Sequence, residues 1–221
     1  MKLSVLIPVF NEEDTVQDLL NHVLAVPVEK EVIVVDDCST DRTWSVLQSV
    51  SDPRVRVYRH EVNQGKGTGI CTALSHATGD LVIIQDADLE YDPNDYPKLM
   101  EPISSGKAQV TYGVRDLRGQ KWLFRLGNNL LTFATNILYG SRLGDMETCY
   151  KVMPREVMLD LKLQPSRFQI EPEITAKLLR KGQSIYEVPI WYQPRKAKKL
   201  NPWKDGLPAL WTLVKYRFVT V

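Results

Sequence analysis

Short apolar runs alternate along this chain with stretches whose apolar residues recur every three or four positions. Residues 3–10, 31–36 and 81–85 are rich in Val, Ile and Leu and have the length of strands, as do 55–58 and 108–113. Several are apolar without a break, the pattern of strands covered on both faces. Between the first two, Val16, Leu19, Leu20, Val23 and Leu24 form one helical stripe. Asn11 is expected to cap that helix, with Glu12, Glu13 and Asp14 in its first turn. Residues 43–50, the stretch ending at Ala77, and residues 93–104 read as further helices. Strand then helix, repeated, predicts an α/β fold: a mostly parallel sheet flanked by helices.

After Arg115 the pattern changes. Trp122, Leu123, Phe124, Leu126, Leu130, Leu131, Phe133, Ile137 and Leu138 form a broad apolar band around Arg125. Residues 203–218 combine Leu207, Leu210, Trp211, Leu213, Val214, Tyr216 and Phe218 with Lys204, Lys215 and Arg217. Such helices either pack on the sheet or lie at a membrane surface, apolar face in the acyl boundary and cations near headgroups. Residues 154–161 and 171–181 read as helices and 185–190 as a short strand, with a loop at 144–151.

Composition narrows the class. The chain has 221 residues, 43% of them hydrophobic, enough for a single domain over 1–221. The formal net charge of +1 excludes a global field for nucleic acid. Charge is divided locally instead. Acids gather between Glu12 and Asp95, bases at 115–125 and 195–204, so residues 1–115 suit a metal and 116–221 an anion. Cys38, Cys71 and Cys149 are odd in number and lack a CxxC spacing, which predicts packing roles in a reducing compartment. No leader precedes the first strand, and no apolar run approaches the roughly 18 residues that spanning a bilayer needs.

The chemistry centres on Asp86, Asp88 and Glu90, which follow the fourth apolar run. Open α/β sheets place ligands at such strand ends, and crowded carboxylates call for a hard cation such as Mg²⁺ or Mn²⁺. If the strand continues, alternation points Asp86 and Asp88 the same way. Asp36 and Asp37 end the second run and can accept hydrogen bonds from a ribose or a base; Ser39, Thr40 and Asp41 can do so too, or cap the next helix. The glycine-rich stretch 63–69, with Lys66, can approach phosphate, although it has neither dinucleotide nor Walker spacing. His22, His60 and His76 are expected in surface or boundary positions away from the strand ends.

Four motifs recur in order at strand ends: Pro-Val-Phe-Asn-Glu at 8–12, Val-Val-Asp-Asp-Cys-Ser-Thr-Asp at 34–41, Asn-Gln-Gly-Lys-Gly at 63–67 and Asp-Ala-Asp-Leu-Glu at 86–90. Together they resemble family 2 glycosyltransferases of the GT-A fold, in the branch of dolichol-phosphate mannose synthases and other polyprenyl-phosphate glycosyltransferases. The resemblance implies that Pro8, Phe10, Glu12 and Asp37 border the nucleotide and that Asp86 lies beside the donor. It implies that Asp88 and Glu90 hold the divalent metal on the donor diphosphate, and that Arg115, Arg125 and Asn129 approach the acceptor phosphate. Members of the branch often carry Gln at the place of Glu90 and Tyr at that of Phe10. Arg195 matches a lid that in relatives is longer and contains glycine and glutamate.

The implied reaction is inverting transfer of a hexose from a GDP-mannose or UDP-glucose type of donor to a polyprenyl phosphate, by a peripheral enzyme on the cytoplasmic face of the membrane. Some relatives continue into transmembrane helices; this sequence stops before any. A lipid phosphate is already an anion, whereas a hydroxyl acceptor needs a base, for which Asp145 and Glu147 are the candidates; the resemblance implies that their stretch, 144–151, lines the site. A binding module without turnover is the remaining alternative. Residues 164–168 superficially resemble the Gln-x-x-Arg-Trp signature of processive polysaccharide synthases, but end in Phe and follow Asp145 too closely.

Overall fold

The computed structural model describes residues 1–164, 169–195 and 202–219, without the side chains of 202–205. The 164–168 motif is therefore only partly covered, and Lys196, Lys198, Lys199 and the Lys204 side chain lie outside the described residues. In chain order the elements are β1 (Leu3–Val9), α1 (Val16–Ala25), β2 (Lys30–Asp36), α2 (Thr43–Gln48), β3 (Val55–Arg59), α3 (Lys66–Ser75), β4 (Leu81–Ile84), α4 (Tyr96–Ser104), β5 (Val110–Arg115), α5 (Trp122–Tyr139), β6 (Lys151–Pro154), α6 (Arg155–Asp160), α7 (Ile170–Arg180), β7 (Ile185–Ile190) and α8 (Pro202–Phe218).

The strands form one sheet in the order β3-β2-β1-β4-β6-β5-β7. β1 pairs in parallel with β2 and β4, and β2 with β3. Every residue of β1, β2 and β4 is buried, as unbroken apolar runs require. Their side chains join those of Val16, Leu19, Leu20 and Val23 on α1 and Ile70 and Ala73 on α3 in the main core. Each large aliphatic residue buried there contributes about 1.5–3 kcal/mol. A smaller core of Leu143, Met146, Ala176, Leu213 and Tyr216 lies among α5, α7 and α8.

Parallel pairing brings the carboxyl ends of β1 to β4 to one edge of the sheet. The loops there are strained: Asn11, Cys38 and Leu89, after β1, β2 and β4, have φ of 54°, 61° and 58°. Cys and Leu pay about 1–2 kcal/mol for that left-handed backbone, and such strain clusters at functional sites. At the amino end Glu31 closes the sheet. It accepts hydrogen bonds from Ser4 Oγ (2.6 Å), Thr78 N–H (2.6 Å), Thr78 Oγ1 (2.7 Å), Lys2 Nζ (2.8 Å) and Arg56 Nη2 (3.0 Å). Gly79 N–H donates to the same carboxylate at 3.1 Å, and a Cβ on Gly79 would lie 2.7 Å from Ser4 Oγ and Lys2 O.

Four sequence expectations are corrected. Asn11 does not cap α1, which begins at Val16; its left-handed backbone turns the side chain towards Thr40, whose N–H it accepts at 2.8 Å. β4 ends at Ile84, so strand alternation does not align Asp86 with Asp88. Lys151, read as the end of the 144–151 loop, instead begins β6, which runs to Pro154 and inserts antiparallel between β4 and β5. His60 directly follows β3 and faces Asp37, whereas the sequence placed it away from the strand ends.

Candidate active site at the carboxyl edge of the sheet

The loop after β4 is anchored from beneath. Gln85 Oε1 accepts the Tyr96 and Tyr150 hydroxyls, each at 2.6 Å, and its amide donates to Asp86 O at 2.9 Å. Beyond that anchor Asp86, Asp88 and Glu90 crowd together. Burial, then the charges of Asp86 and Glu90, push the Asp88 carboxyl up to about 7. Asp86 is offset by Lys66, whose Nζ lies 2.7 Å from Asp86 Oδ1 and 2.6 Å from Glu171 Oε1. Burial would lower the Lys66 pKa, but these two carboxylates hold it well above the ordinary value.

Asp37 shapes the loop that carries Lys66. Its carboxylate accepts Gly65 N–H (2.7 Å) and Gln64 N–H (2.9 Å), and His60 Nδ1 lies 2.7 Å from Oδ1. Gly65 has φ of 92°, a backbone that favours glycine. Asp36 is fully buried, with Arg59 Nε 3.1 Å from its Oδ2. Phe10 is exposed beside Asn11, directly after β1, whose penultimate residue is Pro8. Glu12 accepts Arg195 Nη2 at 2.6 Å, while Thr15 Oγ1 donates to Ala87 O at 2.7 Å, tying the loops after β1 and β4 together.

On the far side Arg115 forms a bidentate pair with Asp145, and its guanidinium carbon lies 5.2 Å from the centre of the Tyr192 ring. Glu147 has one buried carboxylate oxygen with no hydrogen-bond partner, and burial together with Glu171 raises it to about 7. Lys151 is buried against the carbonyls of Met146 and Thr148, and burial lowers it to about 8. Arg125 and Asn129 are exposed, four residues apart on α5. The apolar stripe of α5 also faces outward: Trp122 is 74% and Ile137 66% exposed, with Leu126, Leu130 and Phe133 between them. Trp211 on α8 is 68% exposed. The smaller core instead receives Leu131 and Leu138, from another face of α5.

Thus Asp86, Asp88, Glu90, Glu12, Lys66 and Arg195 are brought together, Asp36 and Asp37 support the neighbouring loops, and Arg125 and Asn129 stand apart on α5. Glu171, Tyr192 and His60 were missed as site residues. Glu171 and Tyr192 lie 105 and 102 residues from their partners Lys66 and Glu90, so no local spacing signals them.

A divalent cation fits this donor set in a specific way. Among the described residues no three His, Cys, Asp or Glu side chains form a ready-made cage. Asp88, raised by burial and then by its anionic neighbours, is the carboxylate that a cation would relieve. Mg²⁺-type sites commonly use one or two carboxylates and complete their shell with substrate phosphates.

The mostly parallel sheet, its flanking helices and the acidic loop after β4 define a GT-A fold. The chain belongs to glycosyl transferase family 2, whose family model matches residues 4–161. It is 30% identical over 202 residues to a dolichol-phosphate mannosyltransferase of Pyrococcus furiosus, a match covering 87% of this chain and 56% of that protein. It is 32% identical over 181 residues to a bactoprenol glucosyl transferase of Shigella phage SfX, covering 76% and 57%. The chain spans little more than half the length of these relatives. Glucosyl-3-phosphoglycerate synthase of Mycobacterium tuberculosis, solved with Mn²⁺, UDP and phosphoglyceric acid, matches over 100% of this chain and 80% of that one, with a TM-score of 0.79 at 20% identity. That likeness establishes the common fold.

Proposed function

We propose that this chain carries out metal-dependent, inverting transfer of a hexose from a nucleotide-diphosphate sugar to a polyprenyl phosphate at the cytoplasmic face of a membrane. The observation that carries the reading is the crowding of Asp86, Asp88 and Glu90, with Lys66 beside them, at the ligand edge of the sheet. Bound with the donor, a divalent cation would stabilise the negative charge that builds on the leaving diphosphate. Asp88 is the residue to hold it. Lys66, fixed by Asp86 and Glu171, adds positive charge towards the same phosphates, and Pro8, Phe10, Glu12, Asp36 and Asp37 border the nucleotide. The names of the Pyrococcus and phage relatives favour a lipid phosphate acceptor.

The acceptor, with a second pKa of about 6 for a phosphate monoester, needs positioning more than deprotonation. Arg125 and Asn129 are placed to meet it, on a helix whose apolar stripe faces outward and suits an acyl boundary. Arg115 contributes from behind, paired with Asp145. No helix among the described residues is long and apolar enough to cross a membrane. One in-line displacement inverts an α-linked donor to a β product.

A second reading, transfer to a hydroxyl, is favoured by one feature. Glu147, unlike the paired Asp145, has an unpartnered buried oxygen and a pKa raised to about 7, suited to a general base.

Transfer of labelled sugar into a lipid phase tests the proposal, using a short-chain polyprenyl phosphate, Mn²⁺ or Mg²⁺, and a panel of UDP- and GDP-sugars. Transfer from one donor that is lost with chelator and in Asp88→Ala supports it. Retained α configuration in the product, read by NMR, refutes inversion. Turnover only with hydroxyl acceptors selects the second reading.

A further inference from the structure

The segment after β7 is tied to the acidic loop through Glu90. Glu90 Oε2 accepts the Tyr192 hydroxyl at 2.6 Å, Oε1 accepts the Arg195 N–H at 2.8 Å, and its backbone carbonyl accepts the Gln193 N–H at 2.9 Å. Tyr91 and Tyr192 form an isolated antiparallel bridge at the same place. Arg195 then crosses the site: Nε donates to Asp88 O at 2.9 Å, and Nη1 and Nη2 donate to the Glu12 carboxylate at 3.2 and 2.6 Å. The Tyr192 hydroxyl also accepts Gln120 Nε2 at 2.8 Å.

These contacts join the ends of β1, β4 and β7 around one buried carboxylate. A phenol and a backbone amide both donate, so both Glu90 oxygens must accept. An amide side chain holds the pair less well: its one oxygen accepts one donor, and its NH₂ reaches the Tyr192 hydroxyl only if that hydroxyl, which already accepts Gln120 Nε2, turns its own proton away. Asp88 differs. Its carboxylate takes a longer bond, from Glu90 N–H at 3.2 Å, and lies between like charges.

We propose that Glu90 is a positioning residue whose carboxylate latches residues 192–195 across the donor site, leaving Asp88 as the carboxylate that meets the donor-bound cation. The latch stands on the geometry alone; its link to the donor rests on the function proposed above. A metal ligand at Glu90 would have to surrender Tyr192 or Arg195, whose bonds place the guanidinium on Glu12. Loss of the latch should therefore weaken donor binding before it slows the transfer step.

Three variants separate the latch from a metal ligand: Tyr192→Phe, which removes a donor to Glu90 and leaves the carboxylate; Glu90→Gln, which keeps a ligating oxygen; and Glu90→Ala. Amide exchange at Arg195 in the ligand-free protein is expected to rise about tenfold in Glu90→Ala, the scale of one lost hydrogen bond. Mn²⁺ affinity, measured by electron paramagnetic resonance with UDP or GDP present, is expected to stay within about threefold in Glu90→Ala. Tyr192→Phe and Glu90→Gln should each raise the donor KM about fivefold with kcat nearly unchanged, and together do no more than the worse single change. A tenfold or greater loss of Mn²⁺ affinity in Glu90→Ala, or unaltered exchange at Arg195, overturns the latch. If no nucleotide binds and no sugar is transferred, the proposed function fails, and the Arg195 exchange still decides the latch.

Discussion

Arg115 and Asp145 meet side by side: Nε lies 2.7 Å from Oδ2 and Nη2 2.9 Å from Oδ1, while Oδ2 also takes the Arg115 N–H at 3.2 Å. Both side chains are buried, so the pair fixes the end of β5 against the loop after α5. Removing one partner strands the other charge. Asp145→Ala should lower stability by about 3 kcal/mol, or roughly 6–12 °C in Tm. Arg115→Met combined with Asp145→Leu should lose much less, which thermal unfolding of the three proteins will read.

Glu31 behaves in the opposite sense to Asp88. Burial would raise its pKa, yet the bonds from Lys2, Ser4 and Thr78 bring it down to about 2. The unfolded chain takes up its proton near pH 4.5, so the stabilisation is present above that pH and disappears as pH falls towards 2. Glu31→Gln should cost about 2 kcal/mol at pH 7 and progressively less below pH 4, by denaturant unfolding across that range.

Asp88 is a liability in the ligand-free protein. It titrates near 7 when folded but at its ordinary value when unfolded, so the folded state loses stability with each step from about pH 4 to 7 and no more above that. Asp88→Asn should stabilise the ligand-free protein, by about 2–3 kcal/mol more at pH 8 than at pH 5, read by denaturant unfolding at the two pH values. Mn²⁺ with nucleotide should stabilise the wild type and not the variant.

Glu147 distinguishes the two acceptor chemistries. With a lipid phosphate, Glu147→Gln is expected to leave kcat within about fivefold, because the acceptor needs no base. With a hydroxyl acceptor the same change should cost on the order of 10²–10⁴. Initial rates with both acceptor types, side by side, give the answer.

The outward stripe of α5 and α8 should carry membrane affinity. Replacing Trp122, Ile137 and Trp211 by Ser is expected to reduce partition onto anionic vesicles by at least about 100-fold, since each large apolar side chain gains about 1.5–3 kcal/mol on burial. Flotation measures this. Unfolding should hardly change, because these side chains are exposed already.

Much of this was legible in the sequence, because an apolar strand buried on both faces writes itself as an unbroken run. β1, β2 and β4 did so, and the acids after β4 lie at the sheet edge that the strand–helix alternation implied. β6 was illegible: Lys151–Pro154 is four residues long and pairs with β4 from about 70 residues downstream. The outward stripe of α5 could not be told from a core stripe by periodicity, since both repeat every three or four residues. The partners of Glu90 and Lys66 come from distant segments, where local patterns carry no information.

The late arrival of β6 also governs how the chain can mature. β4 pairs with β1 on one side and β6 on the other, and β5 pairs only with β6 and β7 among the described strands. Until residue 154 has left the ribosome, β4 therefore presents an open apolar edge and β5 has no neighbour in the sheet. Residues 1–115 and 116–221 are thus not separable pieces of this sheet. A nascent chain carrying only the first half exposes the kind of unpaired edge on which chains associate wrongly, and its protection comes from four residues translated well after the acidic loop.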